Sequence, residues 1–356
     1  MEKKVFKRIA VLTSGGDAPG MNAAVRAVVR SASFKGIEVM GIYCGYKGLM
    51  EEDMKLLSPR DVSNIINLGG TSLYSGRSVE FKTQEGLTKA VNNCKKYGID
   101  GIVTIGGDGT FRGATDLSRL GIPCIGIPAT IDNDISATDY TIGFDTAKNT
   151  VVDMVDRLRD TCESHARCSV VEVMGRSAGY IALECGIAVG AVGIAIKEIP
   201  FYKDELIERM MELSHTGKRQ FIVMVAEGMG SDYAEQLTKE IESRTGIESR
   251  LAKLAHVQRG GHPSSTDRYT ATLFGNKAVD LLIEGKYNLV VCKRKAEIVA
   301  EEMEYAFTLD RIVKGKATEE EIASLDEKTS VRMMAHAKEI RDEIQNVYDI
   351  AKIMAR

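Results

Sequence analysis

Seven short apolar runs, at residues 9–13, 39–43, 102–105, 124–127, 170–173, 221–226 and 289–292, are separated by stretches with helical periodicity. This alternation constrains the fold more than any other feature of the chain. Runs that are apolar throughout, rather than at every second residue, suit strands buried on both faces, as in a parallel sheet covered by helices. The predicted fold class is therefore α/β with mostly parallel sheets. Two of the runs end in the same way: Val11-Leu12-Thr13-Ser14-Gly15-Gly16-Asp17 and Ile102-Val103-Thr104-Ile105-Gly106-Gly107-Asp108 both pass from strand to paired glycines and an aspartate. Seven residues do not establish a duplication.

The 356 residues are enough for two domains with their own cores, and a 44% hydrophobic, 27% charged composition is that of an ordinary globular chain. Lys plus Arg number 47 against 50 Asp plus Glu, a net charge of -3, so no global basic excess draws nucleic acid or an anionic membrane and any anion site must be local. No apolar run approaches the roughly 18 residues of a membrane span, and the amino terminus lacks the apolar core of a signal peptide, so a cytoplasmic protein is expected. Seven scattered cysteines without a C-x-x-C pair argue against both a disulfide framework and a structural zinc site. They read as reduced thiols, with Cys124 a small buried hydrophobe inside its strand. Near the carboxyl terminus Thr318 and Glu321 form a capping-box pattern, and Ile340, Ile344, Val347, Ala351 and Met354 recur at spacings of four and three. A terminal amphipathic helix is expected, packed against the body of the chain rather than reserved for a partner.

Chemistry concentrates after three of the apolar runs. In Ser14-Gly15-Gly16-Asp17-Ala18-Pro19-Gly20-Met21-Asn22, paired glycines lie between a strand and a helix, where backbone N–H groups and the helix N-terminus can face a phosphate. The second loop, Gly106-Gly107-Asp108-Gly109-Thr110, sets a carboxylate among glycines, and Asp108 offers a hard oxygen ligand for magnesium against bound phosphates. A loop of this kind also occurs in NAD kinases and diacylglycerol kinases, so it points to phosphoryl transfer without fixing the acceptor. The third segment, Pro128-Ala129-Thr130-Ile131-Asp132-Asn133-Asp134, carries two carboxylates two residues apart. In an extended loop both would project to one side, with one able to accept a hydroxyl proton and the other to orient it or hold metal. An Asx-turn accounts equally well for an isolated D-N-D.

Taken with Val173-Met174-Gly175-Arg176 and His256-Val257-Gln258-Arg259-Gly260-Gly261, these segments resemble, in order and near-family spacing, the bacterial-type ATP-dependent 6-phosphofructokinases from residue 8 to about 292. The resemblance implies two Rossmann-like domains with the active site in the cleft between them. The ATP-binding domain would comprise residues 1–142 plus about 257–312. The fructose 6-phosphate-binding domain would comprise 143–256 plus about 313–356, the helix beyond Thr318 having no clear family counterpart. The implied reaction moves the γ-phosphoryl group of ATP, with Mg2+, to the 1-hydroxyl of fructose 6-phosphate. Asp132 matches the family's general base, flanked by Thr130 and Asp134, and Arg176 matches the cation facing the transferring group. Gly16, Tyr46, Arg77, Ser78, Gly107, Asp108, Gly109 and Thr110 match nucleotide contacts, Asp108 being the magnesium-linked one. Thr130, Asp132, Met174, Gly175, Arg176, Glu227, His256 and Arg259 match sugar-phosphate contacts. Arg167 and Arg250 match arginines that reach in from a neighbouring subunit, implying a homotetramer.

Two departures carry expectations of their own. Pyrophosphate-using relatives typically place an aspartate at Gly109 and a lysine at Ala129; both positions are small here, so ATP fits, although Ala129 replaces a usual glycine. Pyrophosphate dependence, or a catalytically silent sugar-phosphate-binding regulatory subunit, is the alternative. Arg26, Arg30, Arg159 and Lys218 match the basic lining of the family's effector site, but Val192 stands in place of its acidic metal ligand and Thr216 in place of a common lysine. Weakened or altered ADP activation is expected.

Overall fold

The computed structural model describes residues 6–76 and 78–355. In chain order its first elements are β1 Arg8–Thr13, α1 Met21–Phe34, β2 Glu38–Ile42, α2 Tyr46–Glu51, β3 Met54–Leu57, α3 Gln84–Lys96, β4 Gly101–Gly106, α4 Asp108–Arg119 and β5 Cys124–Pro128. There follow α5 Phe144–His165, β6 Cys168–Val173, α6 Tyr180–Ala188, β7 Gly193–Ala195, α7 Lys203–His215, β8 Phe221–Ala226, α8 Tyr233–Thr245 and β9 Ser249–Lys253. The last are α9 Ser265–Ile283, β10 Leu289–Arg294, β11 Glu297–Glu302, α10 Met303–Val313, α11 Glu319–Ala323 and α12 Glu327–Met354. All seven apolar runs are strands. No helix among the described residues is long and apolar enough to cross a membrane.

The chain divides into two compact units. The first takes the residues up to Ile131, Ile135–Thr146 and Arg259–Ser324; the second takes Asp132–Asp134, Ala147–Gln258 and the residues from Leu325 onward. This division departs from the expected boundaries by four residues at 142 and by twelve at 312, and it assigns the carboxylate tripeptide to the second unit. The first unit contains a seven-stranded sheet of order β11-β10-β5-β4-β1-β2-β3. Its interior pairs are parallel, while β3 on β2 and β11 on β10 are antiparallel. From β1 the chain moves outward to β2 and then returns to the other side of β1 as β4, so a topological switch point lies between β1 and β4, the kind of place where open α/β sheets receive ligands. Ile102 and Phe111, each at most 1% exposed, pack with Leu12 and Leu117 in the core that fixes α4 to the sheet. Burying such side chains stabilises the layer by about 1.5–3 kcal/mol each.

The second unit contains a wholly parallel sheet of order β7-β8-β6-β9. The terminal helix belongs to it. Its buried residues are Met333, Ala337, Ile344, Tyr348 and Ala351, so the expected stripe is corrected: Ile340 and Val347 are only half-buried and Met354 is exposed. The capping box at Thr318 and Glu321 is present, but it starts the separate short helix α11, while Asp326 caps α12 by accepting from Thr329 N.

Candidate functional site

In the first unit three loops leave neighbouring strands at one level. Thr13 of β1 lies opposite Ile105 of β4, and Gly106 lies opposite Pro128 of β5. The loops are stitched together: Ser14 N donates to Ile105 O (3.0 Å), Thr110 Oγ1 to Ser14 O (3.0 Å) and Ala129 N to Gly106 O (3.0 Å). A Cβ on Gly106 would lie 2.3 Å from Ser14 O, so the two glycine turns approach as closely as they do only because that side chain is absent. The second loop feeds directly into α4, with Gly107 at its N-cap and Asp108 in its first turn, so free N–H groups and the positive end of the helix dipole lie at the loop.

A fourth segment, residues 67–75, is latched over the first loop. Asn22, 1% exposed, donates to the carbonyls of Leu68 and Gly69 and accepts from Ser72 N. Thr13 Oγ1 shares a hydrogen bond with Thr71 and donates to Tyr74 O, and Ser75 Oγ donates to Gly15 O. Sequence reasoning missed Thr13, Asn22 and Ser75 as shapers of the site. Their partners lie 46 to 61 residues away, and nothing in one sequence connects residues at that distance.

Several nucleotide-side expectations resolve within this unit. Asp108 Oδ2 pairs with Arg112 (3.0 Å), while Oδ1 is buried without a hydrogen-bond partner in the structure. An added Cβ at Gly109 would meet nothing within 4 Å. Ser78 Oγ accepts from Phe81 N, and Arg77 lies outside the described residues. Tyr46 braces the second loop: it is 6% exposed, its ring stacks on Phe81 at 4.2 Å, and its hydroxyl donates to Thr110 O. Burial pushes its phenol well above the ordinary value of 10.0. Arg259, expected among the sugar-phosphate contacts, belongs to this unit. Its Nη1 donates to Asp17 O (3.1 Å), and a Cβ on Gly16 would lie 2.7 Å from that nitrogen. Thr130 is buried, and its carbonyl accepts from Thr141 Oγ1 (2.6 Å). Arg26 is half-buried with its Nε in no hydrogen bond, and Arg30 is exposed.

In the second unit the segments after β6, β8 and β9 again leave adjacent strands. Asp132 is 2% exposed, and its Oδ2 lies 3.7 Å from Nε of Arg176, whose side chain is 64% exposed. A buried carboxylate faced by a largely exposed guanidinium is a place where a proton can be accepted next to a cation able to meet negative charge. The D-N-D segment is not extended. Asn133 has φ 50°, a left-handed conformation that asparagine tolerates, so the expected alternation that would set both carboxylates on one side does not apply; Asp134 is half-buried. After β6, Met174 N donates to Gln258 Oε1, and Gly175 N and Arg176 N donate to Glu227 Oε1. His256 is exposed.

Arg167 and Arg250 both pair with Glu248, the former at 2.7 Å. Arg159 donates to Val189 O, Arg209 to Val192 O (3.0 Å), and the Val192 side chain is 2% exposed in the core of this unit. Lys218 is half-buried and Thr216 exposed, its hydroxyl turned back on Leu213 O.

Among the described residues no group of three or more His, Cys, Asp or Glu could hold a metal ion by itself. A hard cation at Asp108 would therefore need ligand oxygens from elsewhere, such as phosphates.

The fold and site define a two-unit α/β protein with glycine-rich loops at the carboxyl ends of its strands and a buried carboxylate faced by a cation. Residues 8–282 match the phosphofructokinase family, and the chain belongs to that family. It is 53% identical over 294 residues to the ATP-dependent 6-phosphofructokinase of Bacillus pumilus, covering 83% of this chain and 92% of that protein. It is 52% identical over 306 residues to ATP-dependent 6-phosphofructokinase 1 of Clostridium perfringens, covering 86% and 95%. The phosphofructokinase structure from Pichia pastoris superimposes with a TM-score of 0.84 at 32% identity, covering 99% of this chain, which spans 40% of the Pichia chain.

Proposed function

We propose that the protein transfers the γ-phosphoryl group of ATP to the 1-hydroxyl of fructose 6-phosphate, giving fructose 1,6-bisphosphate and ADP in glycolysis. The observation that carries this reading is identity above one half across nearly the whole length of relatives named ATP-dependent 6-phosphofructokinases.

The residues divide the work as their surroundings suggest. The stitched loops at Gly16 and at Gly107, Asp108, Gly109 and Thr110 hold the nucleotide phosphates through backbone N–H groups and the start of α4. Mg2+ fits the unpartnered Oδ1 of Asp108, where it would neutralise charge on the phosphates. Met174, Gly175, Glu227 and His256 hold the sugar phosphate. Asp132 accepts the proton of the 1-hydroxyl as its oxygen bonds to the γ-phosphorus and the bond to the β-phosphate oxygen breaks. Arg176 meets the charge on the transferring group. A positioned base of this kind contributes about 10²- to 10⁴-fold. Arg167 and Arg250, held together by Glu248, act across a subunit interface of a homotetramer.

The test supplies fructose 6-phosphate and Mg2+ with ATP or pyrophosphate in parallel, beside an Asp132→Ser variant, and sediments the same preparation. Product from ATP only, reduced about 10²- to 10⁴-fold in the variant, is expected together with a four-copy species. Product from pyrophosphate alone, or from neither donor, overturns the reading.

A further inference from the structure

Three consecutive N–H groups follow β6, and each is taken by a side chain from another strand's loop. Gln258 Oε1 receives Met174 N at 3.2 Å, and Glu227 Oε1 receives both Gly175 N at 3.2 Å and Arg176 N at 2.6 Å. Successive N–H groups of this kind form a concavity suited to an anion, and here two of the three are taken by the chain's own Glu227 carboxylate and the first by the Gln258 amide oxygen. The backbone beneath it is unusual: Gly175 has φ 144° and Arg176 φ 54°. Glycine enters that region freely, whereas arginine occupies the left-handed conformation only when its surroundings hold it there.

The surroundings that hold it are the turn Glu227–Met229. Its carboxylate grips the N–H of Arg176, and its next residue, Gly228, packs so tightly against the same residue that a Cβ there would lie 2.5 Å from Arg176 O. The side chain that leaves this clamped backbone is the guanidinium 3.7 Å from Asp132.

Resting on the phosphoryl-transfer reading above, we propose that Glu227 is a positioning residue: its Oε1 locks Arg176 in the left-handed conformation that aims the guanidinium at Asp132 and the transferring phosphoryl group. Only Oε2 is then left to touch the sugar. Glu227 thus acts on the chemical step through Arg176, beyond any contact with substrate.

The experiment measures kcat and KM for fructose 6-phosphate in wild type, Glu227→Ala, Glu227→Gln, Arg176→Ala and the Glu227→Ala/Arg176→Ala double variant, with thermal melts of each. Misplacing a group by about 1 Å can cost about 10²-fold, and kcat of Glu227→Ala is expected to fall by about that much. In the Arg176→Ala background the same change should cost less than about threefold, since the group it positions is gone. Glu227→Gln keeps an acceptor oxygen for the two N–H groups and should recover about tenfold of the loss. If Glu227→Ala does not fold, Glu227→Asp replaces it; its retracted oxygens should leave kcat below that of Glu227→Gln. A raised KM with kcat little changed, equal in both backgrounds, would make Glu227 a sugar contact only. A lowered KM would make it a placeholder for the substrate's phosphate. Either result overturns the proposal while leaving phosphoryl transfer intact, whereas wild type inactive with ATP overturns both.

Discussion

Gly109 and Cys44 show how far a single residue's role depends on the space around it. No heavy atom lies within 4 Å of where a Cβ on Gly109 would stand, so an aspartate fits there without disturbing the fold. Its carboxylate would instead face the nucleotide phosphates of the proposed reaction, and like charges brought together cost several kcal/mol. Gly109→Asp is expected to raise KM for ATP by about tenfold or more with an unchanged melting temperature. Steady-state kinetics paired with a thermal melt check this, and an unaltered KM would remove Gly109 from the nucleotide site. All seven cysteines are free thiols, and only Cys44 is not buried. Burial pushes Cys94, Cys168 and Cys185 up to about 12, far from the thiolate that reacts. An aromatic disulfide reagent at neutral pH should therefore label one thiol in the folded protein and seven after denaturation. Rapid labelling of two or more in the native state would contradict the burial. Gly109 stood out in the sequence, because glycines around an aspartate announce a phosphate loop. The hydrogen bond from the Tyr46 hydroxyl to the carbonyl of Thr110 was not legible, because the two residues stand 64 apart in the chain.

The elements divide by their place in the sheets. Each apolar run read from the sequence is an interior strand, buried on both faces and therefore continuous in its hydrophobicity. The strands not anticipated, β3, β7, β9 and β11, are the four sheet edges. An edge strand needs only one partner, so it can be short like the buried Gly193–Ala195, or stand partly in water and be charged like Glu297–Glu302. Neither pattern separates it from a loop. The edge at β7 is covered by α12, whose Tyr348 donates its hydroxyl to Ile194 O (3.0 Å) while Ala351 lies buried beside it. The helix was legible from its periodicity, but its true face was not, since Met333, Ala337 and Tyr348 are selected by what they pack on. Its N-cap gives an element-scale prediction. Asp326→Ala removes the acceptor for Thr329 N (3.0 Å) and should lower stability by about 1 kcal/mol, read as a shift in a denaturation midpoint. No shift would mean that packing alone sets where α12 begins.

For the whole molecule, near balance between 47 basic and 50 acidic side chains makes stability depend on pairing rather than on net charge. Lys96 holds Glu52, Lys203 holds Glu240 and Arg167 holds Glu248 below the ordinary carboxylate value of 4.5. A group depressed in the folded state stabilises it above the unfolded value and loses that contribution as pH falls through the folded one. Asp267 runs the other way: burial raises it above 3.8, so it favours the folded state once protonated. Depressed groups outnumber it, so the melting temperature should hold level from about pH 7 to 5 and fall below about pH 4.5, as scanning calorimetry can test. A melting temperature that rose on acidification would mean that Asp267 outweighs the pairs. The sequence by itself determined the α/β class, the interior strands, the three glycine and carboxylate loops and the family, because burial on both faces and phosphate-sized turns leave local patterns in residue type. Only the tertiary structure decided that Asn22 and Thr13 latch residues 67–75, that Arg259 lies against Gly16, and that Glu227 grips the backbone of Arg176 beside Asp132. Those are contacts between residues far apart in the chain, and hydrogen-bond partners of that kind are chosen by strand order and register rather than by any neighbour in sequence.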